Sequence, residues 1–198
     1  PYIRVFTQLY PDEVVALVLI DSTHPEQVEK LNAAPASSFR FKSAVWAMNV
    51  GVFFADMGVL GLLESLTQPL FAGEGLPDEI NERTKDNLLD GKALRTYSAE
   101  VGHYHASLNR AKSANQFGSI PIRVFTAIEI DKAYYRERGI DPEGIVNKTV
   151  EVQNEFTNLS TDGKQILIDG SHQTIFTRKE NADIICSEIL QLLPASKN

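Results

Sequence analysis

Seven consecutive aliphatic residues, Val14-Val15-Ala16-Leu17-Val18-Leu19-Ile20, run up to Asp21 without a polar interruption. A run of that length and β-branched content fits a strand covered on both faces, as in a parallel sheet. Ahead of it, residues 2–9 pattern as a helix that Tyr10-Pro11-Asp12 stops, because proline has no N–H to continue the ladder. From Ser22 to about Gly118 no comparable strand occurs. Apolar positions there recur at helical spacing, predicting helices over 43–66, 77–90 and 92–114, with breaks at Pro69, Gly73, Gly75, Pro77 and Gly91. A second buried strand is predicted over Pro121–Ala127 and a short third over Gln165–Asp169. Between them, residues 131–160 are polar and partly helical, with a break from Gly139 to Pro142. A last helix is predicted over 178–193, stopping before Pro194.

The predicted fold class is therefore α/β: parallel strands near 14–20, 121–127 and 165–169, interrupted by an all-helical insertion. The expected division is a core of 1–21 and 119–198 and a helical cap or lid of 22–118. Ligands of open α/β sheets bind outside the carboxyl ends of the strands, so a cap in that place would close the site.

The stretch Val45–Leu63 is apolar enough to raise the question of a membrane span. Asp56 lies near its middle, with Asn49 shortly before. A charge at that depth costs several kcal/mol in lipid, so a cap helix is expected and no transmembrane span.

With 198 residues and 43% hydrophobic content the chain can build one sizeable core. Its net charge of −7, unrelieved by any Lys/Arg cluster, argues against nucleic acid and against an anionic membrane surface as partners. The lone Cys186 cannot form an internal disulfide and reads as a small buried hydrophobe on the last helix. The chain therefore requires no oxidising compartment, and its localisation stays open.

The candidate chemistry centres on Gly170-Ser171-His172, directly after the third strand and before the final helix. A histidine in such a loop, with an ordinary pKa near 6.5, suits a proton shuttle at neutral pH. Its partner carboxylate is either Asp21, at the end of the first strand, or Asp131, in the loop after the second. Both strand ends converge on the same side of a parallel sheet. His24 lies just past Asp21 and is a candidate substrate contact; Trp46, Phe53, Phe54 and Met57 are candidates to line an apolar pocket. His103 and His105, two apart, would point to different sides of a helix and lack a third ligand, so no metal is expected. No phosphate-binding glycine loop is present, and no cofactor is expected.

Four stretches resemble the α/β-hydrolases of the cap-bearing esterase and lipase type. Pro1–Ile20, with Tyr10-Pro11-Asp12-Glu13-Val14 its most specific part, resembles the helix after the nucleophile turn and the next core strand. Asp21-Ser22-Thr23-His24-Pro25 resembles the segment that opens the cap, and Ile120–Ala127 the following core strand. Leu159 to His172 resembles the final strand and the base. The resemblance implies a serine hydrolase that cleaves a small, largely apolar ester through an acyl-enzyme, with chain order serine, acid, histidine. His172 would be the base. The usual acid position, read as Gly-x-x-Asp in the family, is Ile130 in Ala127-Ile128-Glu129-Ile130-Asp131, which keeps Asp21 and Asp131 both open. The resemblance puts the serine and the oxyanion donors ahead of Pro1, so residues 1–198 alone are expected to be inactive. Two other readings stay open: a non-catalytic ligand-binding relative, and a hydrolase with an aspartate nucleophile. Loss of the neighbouring strand would leave an exposed sheet edge and a tendency to self-associate.

Overall fold

The structure, a computed structural model, describes residues 1–59 and 75–193. The predicted helix beyond residue 59, the breaks at Pro69 and Gly73, and the stop at Pro194 lie outside the described residues. The chain divides into two compact units: residues 1–32 with 108–198, and residues 33–107.

The first unit is built on three parallel strands, β1 (Leu17–Ile20), β2 (Ile122–Ala127) and β3 (Gly163–Ile168), in the order β1-β2-β3. Leu17 pairs with Ile122 and Ile20 with Phe125; Ile122 pairs with Gly163 and Ala127 with Ile168. Strands buried on both faces need two apolar sets, and alternation supplies them. One face carries Leu17, Leu19, Ile122 and Val124, packed with Ala114, Phe117 and Phe156. The other carries Phe125, Ala127 and Ile168, packed with Ile175 and Ile185. Phe125, Ile122 and Val124 have no solvent exposure, and each fully buried side chain of this kind contributes about 1.5–3 kcal/mol.

The helices of this unit are α1 (Tyr2–Leu9), the single turn α2 (Gln27–Lys30), and, after β2, α6 (Lys132–Arg136) and α7 (Pro142–Asn154). A 3-10 turn, Glu155–Leu159, follows α7, and α8 (Lys179–Leu192) ends the unit. The first strand is shorter than the apolar run: Val14–Ala16 lie outside the ladder, which begins at Leu17 with its N–H donated to the Pro121 carbonyl. The third starts earlier than expected, at Gly163. A Cβ there would fall 2.1 Å from the Thr157 carbonyl oxygen; only glycine lets the strand begin against the 3-10 turn. Ala114 and Phe117 belong to the sheet's core, and the Phe117 N–H donates to the Leu159 carbonyl. Residues 108–118 therefore fold with the sheet. Cys186 is a correction: it is exposed. The inward stripe of α8 runs through Asn181 and Ile185, and position 186 is turned about 100° from Ile185.

The second unit contains α3 (Phe39–Asp56) and α4 (Asp78–Leu89), and α5 (Gly91–Lys112) lies largely within it. Ser38 caps α3 by accepting the Phe41 N–H. Three contacts set α3 antiparallel to α5: the rings of Phe41 and His105 at 4.6 Å, Ser98 Oγ donating to Asn49 Oδ1 at 2.8 Å, and Arg95 on the Asp56 carboxylate at 2.8 and 3.0 Å. Asp56, the charge that argued against a membrane span, thus has a guanidinium partner. Among the described residues no helix is long and apolar enough to cross a membrane.

Candidate active site

Alternation along the sheet puts Leu17, Leu19 and Asp21 on one side, with Ile122, Val124 and Thr126 beside them. The apolar members fill the core, and the polar ones, Asp21 and Thr126, come last, at the carboxyl ends. Asp21 closes β1 with its N–H donated to the Phe125 carbonyl at 2.7 Å. Its φ of +39° puts a non-glycine residue in left-handed backbone, a conformation aspartate tolerates better than most and one that collects at functional positions.

His172 reaches the same place from the loop after β3. Gly170 allows that loop to close: a Cβ there would meet Asn181 Nδ2 at 2.7 Å and Thr174 Oγ1 at 3.1 Å. Buried Asn181 donates from Nδ2 to the Asp169 and Thr174 carbonyls. Ser171 and Thr174 cap one another: the Ser171 N–H donates to Thr174 Oγ1 at 2.8 Å, and the Thr174 N–H to Ser171 Oγ at 3.2 Å. The Glu129 N–H donates to the Gly170 carbonyl, tying this loop to the one after β2.

The result is a contact between His172 Nδ1 and Asp21 Oδ2 at 2.6 Å, joining residues 151 apart in sequence. The Asp21 carboxylate is 12% exposed and the His172 ring 77%. Asp21 also accepts from Gln153 Nε2 at 2.7 Å and from the Ala127 N–H at 3.4 Å, both on Oδ1. Burial pushes the Asp21 carboxyl up, but the hydrogen bonds from His172 and Gln153, the imidazolium charge and the Ala127 N–H together hold it below its ordinary value. The bond to Asp21 raises the His172 pKa; burial works against it, and the carboxylate charge adds to the rise. An ionised Asp21 only accepts, so Nδ1 carries the proton and the Nε2 lone pair is left for a substrate or nucleophile. Among the described residues no side chain bonds Nε2. Ser171 Oγ is engaged with its own loop.

Asp131 and His24, in the same unit, are engaged elsewhere. Asp131 caps α6, its Oδ1 accepting the Tyr134 N–H at 3.0 Å, and Glu129 is ion-paired with Arg178 at 2.8 Å. The structure brings Asp21, not Asp131, to His172. His24 is buried in a cavity of about 230 Å³ whose lining includes Arg4, Glu26, Lys112 and Phe156 but neither Asp21 nor His172. Its Nδ1 accepts the Glu26 N–H at 3.1 Å. Burial, with help from Lys30 and Arg4, lowers its pKa against the opposing pull of Glu155 and Glu26. Trp46, Phe53, Phe54 and Met57 are surface residues, 68%, 59%, 39% and 54% exposed. Of the described α3 side chains only Val52 is buried.

His24, Glu26 and Glu155 could together offer three ligand atoms to a metal, a grouping the sequence reading did not find. Lys30 already bridges Glu26, at 2.9 Å, and Glu155, so its ammonium meets the need for a cation there. With Nδ1 accepting from backbone, His24 Nε2 carries the proton and presents no lone pair. His103 is exposed, and the His105 ring packs edge-on against Phe41. Also missed were Gln153, Thr126 and Asn181, although Asp21 and Thr126 share the strand parity that marks one face. Comparison with protein-family models, with curated proteins and with solved structures finds no match to this chain.

Proposed function

We propose that Asp21 and His172 are the orienting acid and the general base of a hydrolase that transfers acyl groups from small, largely apolar esters. The observation that carries this reading is the 2.6 Å bond between Asp21 Oδ2 and His172 Nδ1. A partly buried carboxylate on Nδ1 and an open Nε2 on an exposed ring is the arrangement that takes a proton from a nucleophile and returns it to a leaving group. The two residues come from the carboxyl ends of β1 and β3, the strands on either side of β2, the region where α/β folds build sites. The resemblance of residues 1–25, 120–127 and 159–172 to α/β-hydrolases supports that reaction class, with a serine as the nucleophile.

In that mechanism His172 Nε2 removes the serine proton as the hydroxyl attacks the ester carbonyl. Asp21 stabilises the imidazolium that forms and keeps the ring in one tautomer. The imidazolium then protonates the departing alcohol, and the same base activates water to release the acid.

The test is hydrolysis of short-chain activated esters by residues 1–198 and by the same chain extended through the coding sequence ahead of Pro1. The expected result is turnover by the extended protein only, abolished by His172→Ala and reduced about 10⁴-fold by Asp21→Asn. Turnover indifferent to His172→Ala would overturn the assignment. Turnover by residues 1–198 that requires His172 would put the nucleophile within them.

A further inference from the structure

Asp21 is reached by a chain of side-chain hydrogen bonds that begins two strands away. Gln165 on β3 donates from Nε2 to the Val150 carbonyl and to Thr126 Oγ1, both at 2.9 Å. Thr126 on β2 donates from Oγ1 to Gln153 Oε1 at 3.0 Å. Gln153, in the last turn of α7, donates from Nε2 to Asp21 Oδ1 at 2.7 Å. Asp21 Oδ2 then accepts from His172. Thr126 is fully buried and Gln153 is 5% exposed.

The chain permits one arrangement of protons. A carbonyl only accepts, so Val150 obliges Gln165 to present its NH₂ group. Thr126 Oγ1 accepts from that group, and its single proton is left for Gln153 Oε1. The ionised Asp21 also only accepts, which requires NH₂ from Gln153, and the amide meets both demands in a single orientation. Reversed, Gln153 would set its carbonyl oxygen against a carboxylate oxygen at 2.7 Å and leave the Thr126 hydroxyl facing an NH₂. Both ends are thus fixed by acceptors, and the direction of every bond between them follows.

We propose that Gln153 is a positioning residue that holds the Asp21 carboxylate in line with His172, and that the Thr126 hydroxyl sets which end of the Gln153 amide faces Asp21. Gln153 touches no reacting atom. It acts by fixing the carboxylate that fixes the base, and it rests on the reading of Asp21 and His172 as an acid–base pair. Without Gln153 the Oδ1 atom keeps only the long Ala127 N–H contact. Thr126→Val keeps the shape and removes the hydroxyl; Thr126→Ser keeps the hydroxyl and removes a methyl group. Gln153→Met keeps chain length and removes both hydrogen bonds.

The test is a carbon-detected NMR titration of the Asp21 carboxyl in the four proteins, with the His172 Nδ1–H resonance followed alongside. Thr126→Val and Gln153→Met are expected to raise the Asp21 pKa by about half a unit or more, since each removes or misdirects a hydrogen bond to the charged form. The Nδ1–H signal should broaden in both. Thr126→Ser should follow the wild type. Equal shifts in Thr126→Val and Thr126→Ser would mean packing alone and overturn the proposal, as would an unchanged Asp21 titration in Gln153→Met. No turnover enters the readout, so the relay can stand if the ester assay fails and can fall while that assay succeeds.

Discussion

At the scale of single residues, the Asp21–His172 bond links charge to stability. His172 has a raised pKa, so its contribution is fully present below its ordinary 6.5 and is lost as pH rises through the raised value. Asp21 has a lowered pKa, so its contribution is present above its ordinary 3.8 and is lost as pH falls through the lowered value. The pair therefore stabilises most at about pH 5 and less on either side. Urea unfolding of wild type and His172→Ala should show a larger stability gap at about pH 5 than at about pH 9. A gap that grows with pH would contradict the assigned ionisation states. The backbone at Asp21 gives a second expectation. At φ +39°, asparagine is as well tolerated as aspartate, whereas a β-branched residue is a genuine outlier. Asp21→Asn should thus fold without backbone strain, and Asp21→Val should cost a further 1–2 kcal/mol, about the left-handed penalty, in the same urea series. The place of His172 after the third strand was legible in the sequence because Gly170-Ser171-His172 sits between a strand and a helix. The choice of Asp21 over Asp131 was not legible. It depends on Asp131 being taken as the N-cap of α6 by the Tyr134 N–H, and on Gln153, 132 residues away, reaching Asp21.

At the scale of elements, the three strands were readable from continuous apolar runs, and their parallel pairing from the helices between them. Their ends were not. β1 starts three residues inside its apolar run because pairing, not composition, defines it, and β3 starts at a glycine that composition would assign to a loop. That start yields a prediction. Gly163→Ala puts a methyl group against Thr157 backbone, with the Cα of Thr157 only 2.6 Å away. Backbone cannot turn aside as a side chain can, so β3 or the 155–159 turn must shift. A loss of about 1–3 kcal/mol, or more, is expected by urea unfolding; a neutral Gly163→Ala would mean that the strand begins later than Gly163. In the other unit, the all-round apolar character of α3 did not reveal its burial. Helical periodicity fixes an inward face only where polar positions mark the outward one, and Trp46 and Phe53 lie at the surface.

At the scale of the whole molecule, β1 is the terminal strand of its sheet among the described residues. Beside it, Ile3 and Phe6 of α1 join Val15, Val18, Ile189 and Leu193 around an apolar groove of about 310 Å³. The buried residues of α1 are Arg4 and Thr7, while Tyr2, Ile3, Phe6 and Leu9 face outward. An unpaired edge beside apolar surface promotes association, and a charge there opposes it. Sedimentation velocity should show concentration-dependent association of residues 1–198, weakened by Val15→Lys; a strict monomer at all concentrations would contradict this. The central claim, that Asp21 holds His172 as a base, has a more direct test, independent of any substrate. Proton NMR titration of the His172 ring in wild type should give a pKa above 6.5, and Asp21→Asn should bring it down toward that value while Asp131→Asn leaves it in place. A ring that titrates at the same pH with and without the Asp21 carboxylate would contradict the account.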